Sequence, residues 1–287
     1  MSTTREQRIL EIIETARSKP ARFRDERITM AHGAGGKATA RLIEGLLAPA
    51  FGMTSLDDAA PIEDLAITTD AFVVKPIRFP GGSIGELAVN GTVNDLAVAG
   101  ARPLALSLSL ILEEGLGAAE LAAEVQAIAA AARAAGVRIV AGDTKVVERG
   151  HADQLYITTT GIGRRDPRAM LSPASARPGD RVLLSGPIGE HGTAIMLARG
   201  EFELDAEIES DTRCLWPEVD ALLAAAGPHV RCMRDATRGG VASVLNELAR
   251  ASGVAMLIRE ADVPVAPAVA GASELLAANP LYPGLTL

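Results

Sequence analysis

The sequence predicts an α/β (α+β) protein assembled from two domains, each of two layers. Three observations carry that prediction. The chain has 287 residues, too many for a minimal domain. Apolar residues make up 48% of it and aromatics only 3%, so the core must be built from Ala, Val, Leu and Ile. Along the chain, apolar segments with the two-residue period of strands alternate with stretches of helical period.

Residues 1–27 interleave charge with Ile9, Ile12, Ile13 and Ala16 at helical spacing and read as an accessory amphipathic helix. The body begins at Ile28, where a glycine-rich turn, HGAGGK (32–37), leads into a helix ending at Leu47. Strands at 65–69 and 71–75 flank Asp70, and a Pro/Gly turn follows at 79–82. A helix from Ile84 to Ala99 carries Asn94 and Asp95, and the alternation of Leu with Ser and Ala over Leu104 to Leu112 suits a strand. An alanine-rich helix comes next, then a strand at 137–141 that delivers Asp143, then one at 154–160. Residues 161–180 are rich in Arg, Pro, Ser and Gly. A linker at 165–178 therefore separates a first domain, 28–164, from a second, 179–287. The second domain opens with a strand at 181–185, and helices follow at 192–199, 212–226 and 239–252. A strand at 254–259 and a helix near 267–278 complete it.

Composition excludes several classes. A net charge of −8 and a pI near 5.2 leave no basic face for nucleic acid. The most apolar stretch, Ala118 to Ala135, is interrupted by Glu120, Glu124 and Arg133, so a membrane span is not expected. Neither is a signal peptide. The two cysteines, Cys214 and Cys232, make no disulfide or metal framework and suit a reducing, cytoplasmic setting.

The chemistry concentrates in acids at element ends. Asp57 and Asp58, Asp70, Asp95 and Asp143 each stand where an apolar segment begins or ends. Any one could be a helix cap. Several at one mouth would repel one another unless a divalent cation sat among them, and magnesium suits a few carboxylates plus substrate phosphates. Asp58, Asp70, Asp95 and Asp143 are the candidate metal ligands, with Asp57 the alternative to Asp58. His32, Gly33, Gly35 and Gly36 offer a phosphate turn at a helix start that is neither a P-loop nor a dinucleotide fingerprint. Lys75 and Lys145, within five residues of the acids, are placed to neutralise phosphate charge. The stretch RDATRGG (234–240) is a second anion-friendly helix start, with Arg234, Asp235, Thr237, Arg238 and Gly239 as candidates; the alternative is an ordinary N-cap. Asn94 and Thr144 flank two of the acids and join the nucleotide candidates. His191, between Gly189 and Gly192, is a candidate proton shuttle, and with Lys145 forms the candidate catalytic pair.

Together these segments resemble the HypE family of hydrogenase maturation factors, within the superfamily of aminoimidazole ribonucleotide synthetase, selenophosphate synthetase and thiamine-monophosphate kinase. The resemblance rests on HGAGG (32–36), TDAFVVKP (69–76), FPGG (79–82), GTVNDL (91–96), ILEEG (111–115), GDTKVV (142–147), GEHG (189–192) and CMRDATRGG (232–240). It covers about Ile28 to Tyr282. It implies a two-domain aminoimidazole ribonucleotide synthetase-like fold, whose β-rich N-terminal domain pairs with a second copy into a barrel, with ATP bound between the domains. It further implies an ATP-dependent carbamoyl dehydratase. A carboxamide on a cysteine arrives from a HypF-type carbamoyltransferase, loses water to become an S-cyanide, and passes to a HypC/HypD-type iron scaffold for a [NiFe]-hydrogenase. ATP and Mg2+ are the implied cofactors.

The resemblance weakens at the end. The family continues past the Leu281–Tyr282 position with further strands and a terminal cysteine, whereas PGLTL (283–287) follows here. The family's glutamate base and acceptor cysteine therefore have no counterpart. An incomplete second domain, loosely held residues after about Val254, and nucleotide binding without self-cyanation are the expectations. A non-catalytic subunit that binds ATP and partners, and a selenophosphate- or purine-synthetase-like enzyme, are the other functional classes.

Overall fold

The computed structural model describes residues 22–53, 57–200 and 206–275. It divides the chain into two compact units, Met1–Leu56 and Asp57–Leu287. The expected accessory helix lies outside the described residues up to 21, and residues 22–27 are not helical.

In the first unit a 3-10 turn, Met30–His32, precedes helix α1, Lys37–Leu42. The helix does not stop at Leu47. A π-helical turn, Ile43–Leu47, passes into α2, Ala48–Phe51, which ends at left-handed Gly52. Pro49 brings no N–H to the ladder, and a widened turn just ahead of it is a common way to absorb such a loss.

The second unit is built on five strands: β1 (Ala60–Ile62), β2 (Leu65–Phe72), β5 (Ala101–Glu113), β6 (Arg138–Val147) and β7 (Leu155–Arg165), in the order β1-β2-β7-β5-β6. A two-stranded ribbon, β3 (Arg78–Phe79) with β4 (Gly82–Ser83), stands apart from this sheet. All pairings in the main sheet are antiparallel except β5 with β6. That parallel pair needs a crossover, which the alanine-rich helix α4 (Ala118–Ala134) supplies after helix α3 (Ile84–Val98). Two expected breaks are absent. Asp70 lies inside β2, its backbone paired with Thr159, and Asp143 lies inside β6, opposite Ser109. A polar side chain does not interrupt a ladder when it projects from a face.

Helix α3 forms the centre of the core. Ile84, Ala88, Val89, Val93, Leu96 and Ala97 on it are fully buried. They pack with Phe72, Leu106, Leu155 and Ile157 of the sheet and Ile128 and Ala132 of α4. The start of α3 is fixed by a buried acid. Glu124 of α4 accepts the Gly85 N–H at 3.0 Å, and Arg78 Nε lies 2.9 Å from its other oxygen. A Cβ at Gly85 would stand 2.8 Å from the Glu124 carbonyl oxygen, so only glycine lets the two helices close up.

Beyond β7 the described residues hold helices α5 (Glu190–Ala198), α6 (Trp216–Ala226), α7 (Gly240–Ser252) and α8 (Pro267–Leu275). All four expected helices form, with ends shifted by a few residues. The expected strands at 181–185 and 254–259 do not. Leu183 is 78% exposed and Leu257 93%, and among the described residues neither segment has a ladder partner. An apolar alternation becomes a strand only when another strand takes its backbone groups. Two small cores hold these helices. Ala194, Ile208, Val269 and Ala272 pack together, while Val219 and Leu223 of α6 close on Ala97 of α3.

Glu124→Ala removes the acceptor of a buried charged hydrogen bond and the partner of Arg78. It should cost about 2–3 kcal/mol in chemical denaturation. A change below ~0.5 kcal/mol would show that α3 is held by apolar packing alone.

Candidate functional site

Three stretches far apart in sequence meet beside α3. Asp70 lies on the β2 face that also presents Ala66, Thr68 and Phe72 toward the helix. Asp95 stands near the far end of α3 and accepts a hydrogen bond from the buried Thr68 hydroxyl at 2.9 Å. Asp58 precedes β1, and the loop before α7 delivers Arg234, Asp235 and Arg238. The Asp235 N–H points at Asp58 Oδ2 from 3.5 Å. Arg234 reaches Asp58 at 3.5 Å, Asp57 at 3.9 Å and Glu247 at 3.0 Å, and Arg238 reaches Asp70 at 3.4 Å. Gly91 makes room for this approach, since a Cβ there would stand 2.9 Å from the Phe72 ring and 4.0 Å from Asp70 Oδ2.

The surroundings of the acids disfavour their charged forms. Burial, then the neighbouring Asp235, pushes the Asp95 carboxyl up to about 8. Burial and the charge of Asp58 push Asp235 to about 7. Burial pushes Asp58 to about 6 against the opposing pull of Arg234, and raises Asp70 against that of Arg238. Four mutually repelling carboxylates fit a divalent cation, which would restore their charge. Among the described residues no three His, Cys, Asp or Glu side chains are yet arranged to hold a metal ion. The arginines stand among them instead.

The structure brings Asp58, Asp70, Asp95, Asp235, Arg234 and Arg238 together. Asp143 and Lys145 are elsewhere in this chain. They pair with each other at 2.8 Å on the exposed edge strand β6, where Lys145 and the Thr144 N–H lower the Asp143 pKa. Lys75 binds Asp153 at 2.6 Å beside a cleft of about 320 Å³ shared with Glu113 and Gln154. Asn94 is occupied: its amide donates to the Arg213 carbonyl at 2.9 Å and accepts the Leu215 N–H at 2.8 Å, clamping that segment to α3. Thr237 accepts the Gly240 N–H through its carbonyl, and Gly239 precedes α7 in a left-handed conformation.

His32, in the first unit, has both ring nitrogens engaged. Nδ1 faces the Thr29 N–H at 3.0 Å and Nε2 faces Asp25 at 3.0 Å, so it anchors its own turn. Gly35 bonds the Thr39 hydroxyl, and Gly33 and Gly36 flank that turn. His191 is buried against Phe79, with ring centroids 5.4 Å apart, and its Nδ1 lies 2.8 Å from Ser210 Oγ. Burial lowers its pKa, with the Asp211 charge opposing. Sequence reasoning missed Thr68, Glu247 and Asp211, which acts electrostatically on both His191 and Asp235. Thr68 was findable, since it shares a strand face with Asp70 two residues on. Nothing local marks the other two.

Residues 56–165 match the AIR synthase related protein N-terminal domain family, and residues 177–282 match its C-terminal domain family. The carbamoyl dehydratase HypE of Cupriavidus necator is 50% identical over 272 residues, covering 92% of this chain and 77% of that protein. This chain belongs to the HypE family. Among solved HypE structures, one in a HypE–HypF complex is 46% identical with a TM-score of 0.81, covering 84% of this chain and 80% of the other. A second, in complex with ATP, is 43% identical with a TM-score of 0.74, covering 89% of this chain and 78% of the other. The family confirms the two-domain aminoimidazole ribonucleotide synthetase-like fold. It also rules in an enzyme whose work is hydrogenase maturation.

The raised acids make stability depend on pH. Between about 3.8 and about 8 the native state keeps a proton on Asp95 that the unfolded chain has lost, so this residue's contribution falls as pH rises. Asp95→Asn abolishes that loss. Without divalent cations, the variant should gain stability over the parent progressively from pH 5 to pH 8. Parallel melting curves across that window would refute the burial of this charge.

Proposed function

We propose that this chain is an ATP-dependent carbamoyl dehydratase that converts a cysteine S-carboxamide to an S-cyanide for the iron of a [NiFe]-hydrogenase. The observation that supports it most is the half-buried cluster of Asp58, Asp70, Asp95, Asp235 and Arg234 with the exposed Arg238, in a chain half identical to a carbamoyl dehydratase. The carboxamide oxygen is a poor leaving group. Its phosphorylation by ATP makes it a good one, and two N–H protons depart as the C≡N bond forms and phosphate leaves. Phosphoryl transfer is mostly positioning and charge neutralisation, which is what clustered acids, a divalent cation and arginines supply.

The acids would hold Mg2+, with Asp235 joining Asp58, Asp70 and Asp95. Arg238 would face the phosphates while Arg234 frames the acids, and an acid of the cluster that does not ligate the metal, with its pKa near neutrality, is suited to accept a departing proton. His191, neutral and fixed to Ser210, remains a candidate to relay a proton. Cys214 and Cys232 are poor carriers of the carboxamide. Both are partly buried and burial raises both thiols, with the Cys232 thiol bonded to the Ser172 carbonyl at 3.0 Å. The substrate sulfur comes from another cysteine than these. Asp95→Asn and Asp235→Asn should each lower magnesium-dependent ATP affinity at least about tenfold by calorimetry. They should also abolish the ATP-dependent loss of one water from an S-carboxamide peptide, read by mass spectrometry. Full dehydration by both variants would sink the assignment.

The working assembly is proposed to be a homodimer in a cytoplasmic setting, served by a HypF-type carbamoyltransferase and feeding a HypC/HypD-type scaffold. We keep the division into 28–164 for ATP binding and dimerisation, 165–178 as linker and 179–287 as second domain. The β6 edge supports dimerisation. Ile139, Val140 and Val146 are 38%, 56% and 67% exposed on a strand that, among the described residues, pairs on one side alone. Edges of this kind are usually covered. A second chain on that edge is also what could carry Asp143, Thr144 and Lys145 to a nucleotide. Val140→Asp should turn the dimer into a monomer by sedimentation, and a dimer that survives it would place the interface elsewhere. Among the described residues no helix is long and apolar enough to cross a membrane.

A further inference from the structure

We propose that Arg238 is a resident counter-ion of the acid cluster, which leaves Asp70 when a divalent cation binds and turns its guanidinium to the phosphates. The inference rests on the metal–nucleotide reading above and adds a competition to it. A guanidinium on one Asp70 oxygen and a metal ion on the other compete for the same negative charge.

The two arginines of the α7 loop are built differently. Arg234 is 16% exposed and spans Asp57, Asp58 and Glu247, so it is part of the framework. Arg238 is 50% exposed, and among the described residues its ion-pair partner is Asp70 at 3.4 Å. That distance is long for a charge-assisted bond. Other arginine pairs of the described residues include 2.6 Å at Arg168–Asp166, 3.4 Å at Arg213–Glu218 and 3.5 Å at Arg234–Asp58, so exposure and the single ion-pair partner, more than distance, set Arg238 apart from Arg234. Arg238 is thus placed to neutralise Asp70 and only loosely bound to it.

The acceptor atom sharpens the point. Asp70 Oδ1 already takes the Ala71 N–H at 2.8 Å, and Arg238 approaches that same oxygen. Oδ2 is directed toward α3 near Gly91, on the side of Asp95. Were Asp70 and Asp95 among the residues that hold a divalent cation, its charge would replace the one that Arg238 now supplies to Asp70. A guanidinium stays charged throughout, so a cation that shares the Asp70 charge weakens its hold there and favours its release. The nearest gain for it is a phosphate at the start of α7, where backbone N–H groups also favour an anion.

The experiment is a pair of titrations on the full chain. Manganese alone, followed by electron paramagnetic resonance, reports bare-metal affinity; calorimetry with Mg–ATP reports the nucleotide complex. Arg238→Gln should bind bare manganese roughly two- to fivefold more tightly, the scale of one partly exposed ion pair. It should bind Mg–ATP more weakly. Arg250→Gln, which removes a charge at the far end of the same helix, should change neither, and Arg238→Lys should fall between. If Arg238→Gln weakens both, Arg238 only assists binding and the counter-ion role is overturned; if it changes neither, the residue is a bystander. Failure of the parent chain to bind Mg–ATP would instead refute the nucleotide reading itself.

Discussion

A buried carboxylate on α4 holds the start of α3 in place, and through α3 it governs where the acids of the candidate site stand. Glu124 takes the Gly85 N–H and the Arg78 side chain, so the helix enters the core at a fixed height. Two turns and more further on, the same helix presents Asp95 to Thr68 and Asn94 to the backbone of 213–215. The helix is fully buried along one face, so sliding it would empty the core as well as misplace the acid. Packing and site geometry are therefore one constraint, and glycine at 85 and 91 is the sequence's part in it.

The site itself is electrostatically unfinished. Burial places four carboxylates where their charged forms are disfavoured, and the chain offsets this partly with arginines and partly by raising their affinity for protons. A cluster of this sort has little structural value, because apolar residues of similar volume would stabilise the fold at least as well. Its worth lies in what it can exchange. Protons, guanidinium groups and a divalent cation can each satisfy it, which suits a reaction that binds metal-bound phosphate and then releases protons.

Much of this was legible in advance. The short motifs led to the HypE family, and the periods located the long strands β2, β5, β6 and β7 and the helices from α3 to α8, because core positions impose their period on the sequence, while the short strands β1, β3 and β4 left no period to read. Segments 181–185 and 254–259 misled for a definite reason. Periodicity reports which residues could line a sheet face, but a ladder also needs a neighbour, and none of the described residues provides one. Asp143 stands apart from the other acids within one chain. Its motif resembles those of Asp70 and Asp95, yet β6 lies at the sheet edge, and there it meets Lys145 and solvent.

The sequence by itself determined the family, the α/β character, the low-aromatic core and the residue types of the candidate site, since composition, period and spacing are local properties. Only the tertiary structure decided which acids share a field. Asp58, Asp95 and Asp235 come from three distant stretches, and their repulsion arises from burial beside α3, which no local pattern records. It likewise decided that His32 and Asn94 spend their polar atoms on the backbone or a nearby acid, while Arg238 keeps a loose partner. A side chain's free valence depends on everything packed around it, and that is settled when the chain has folded.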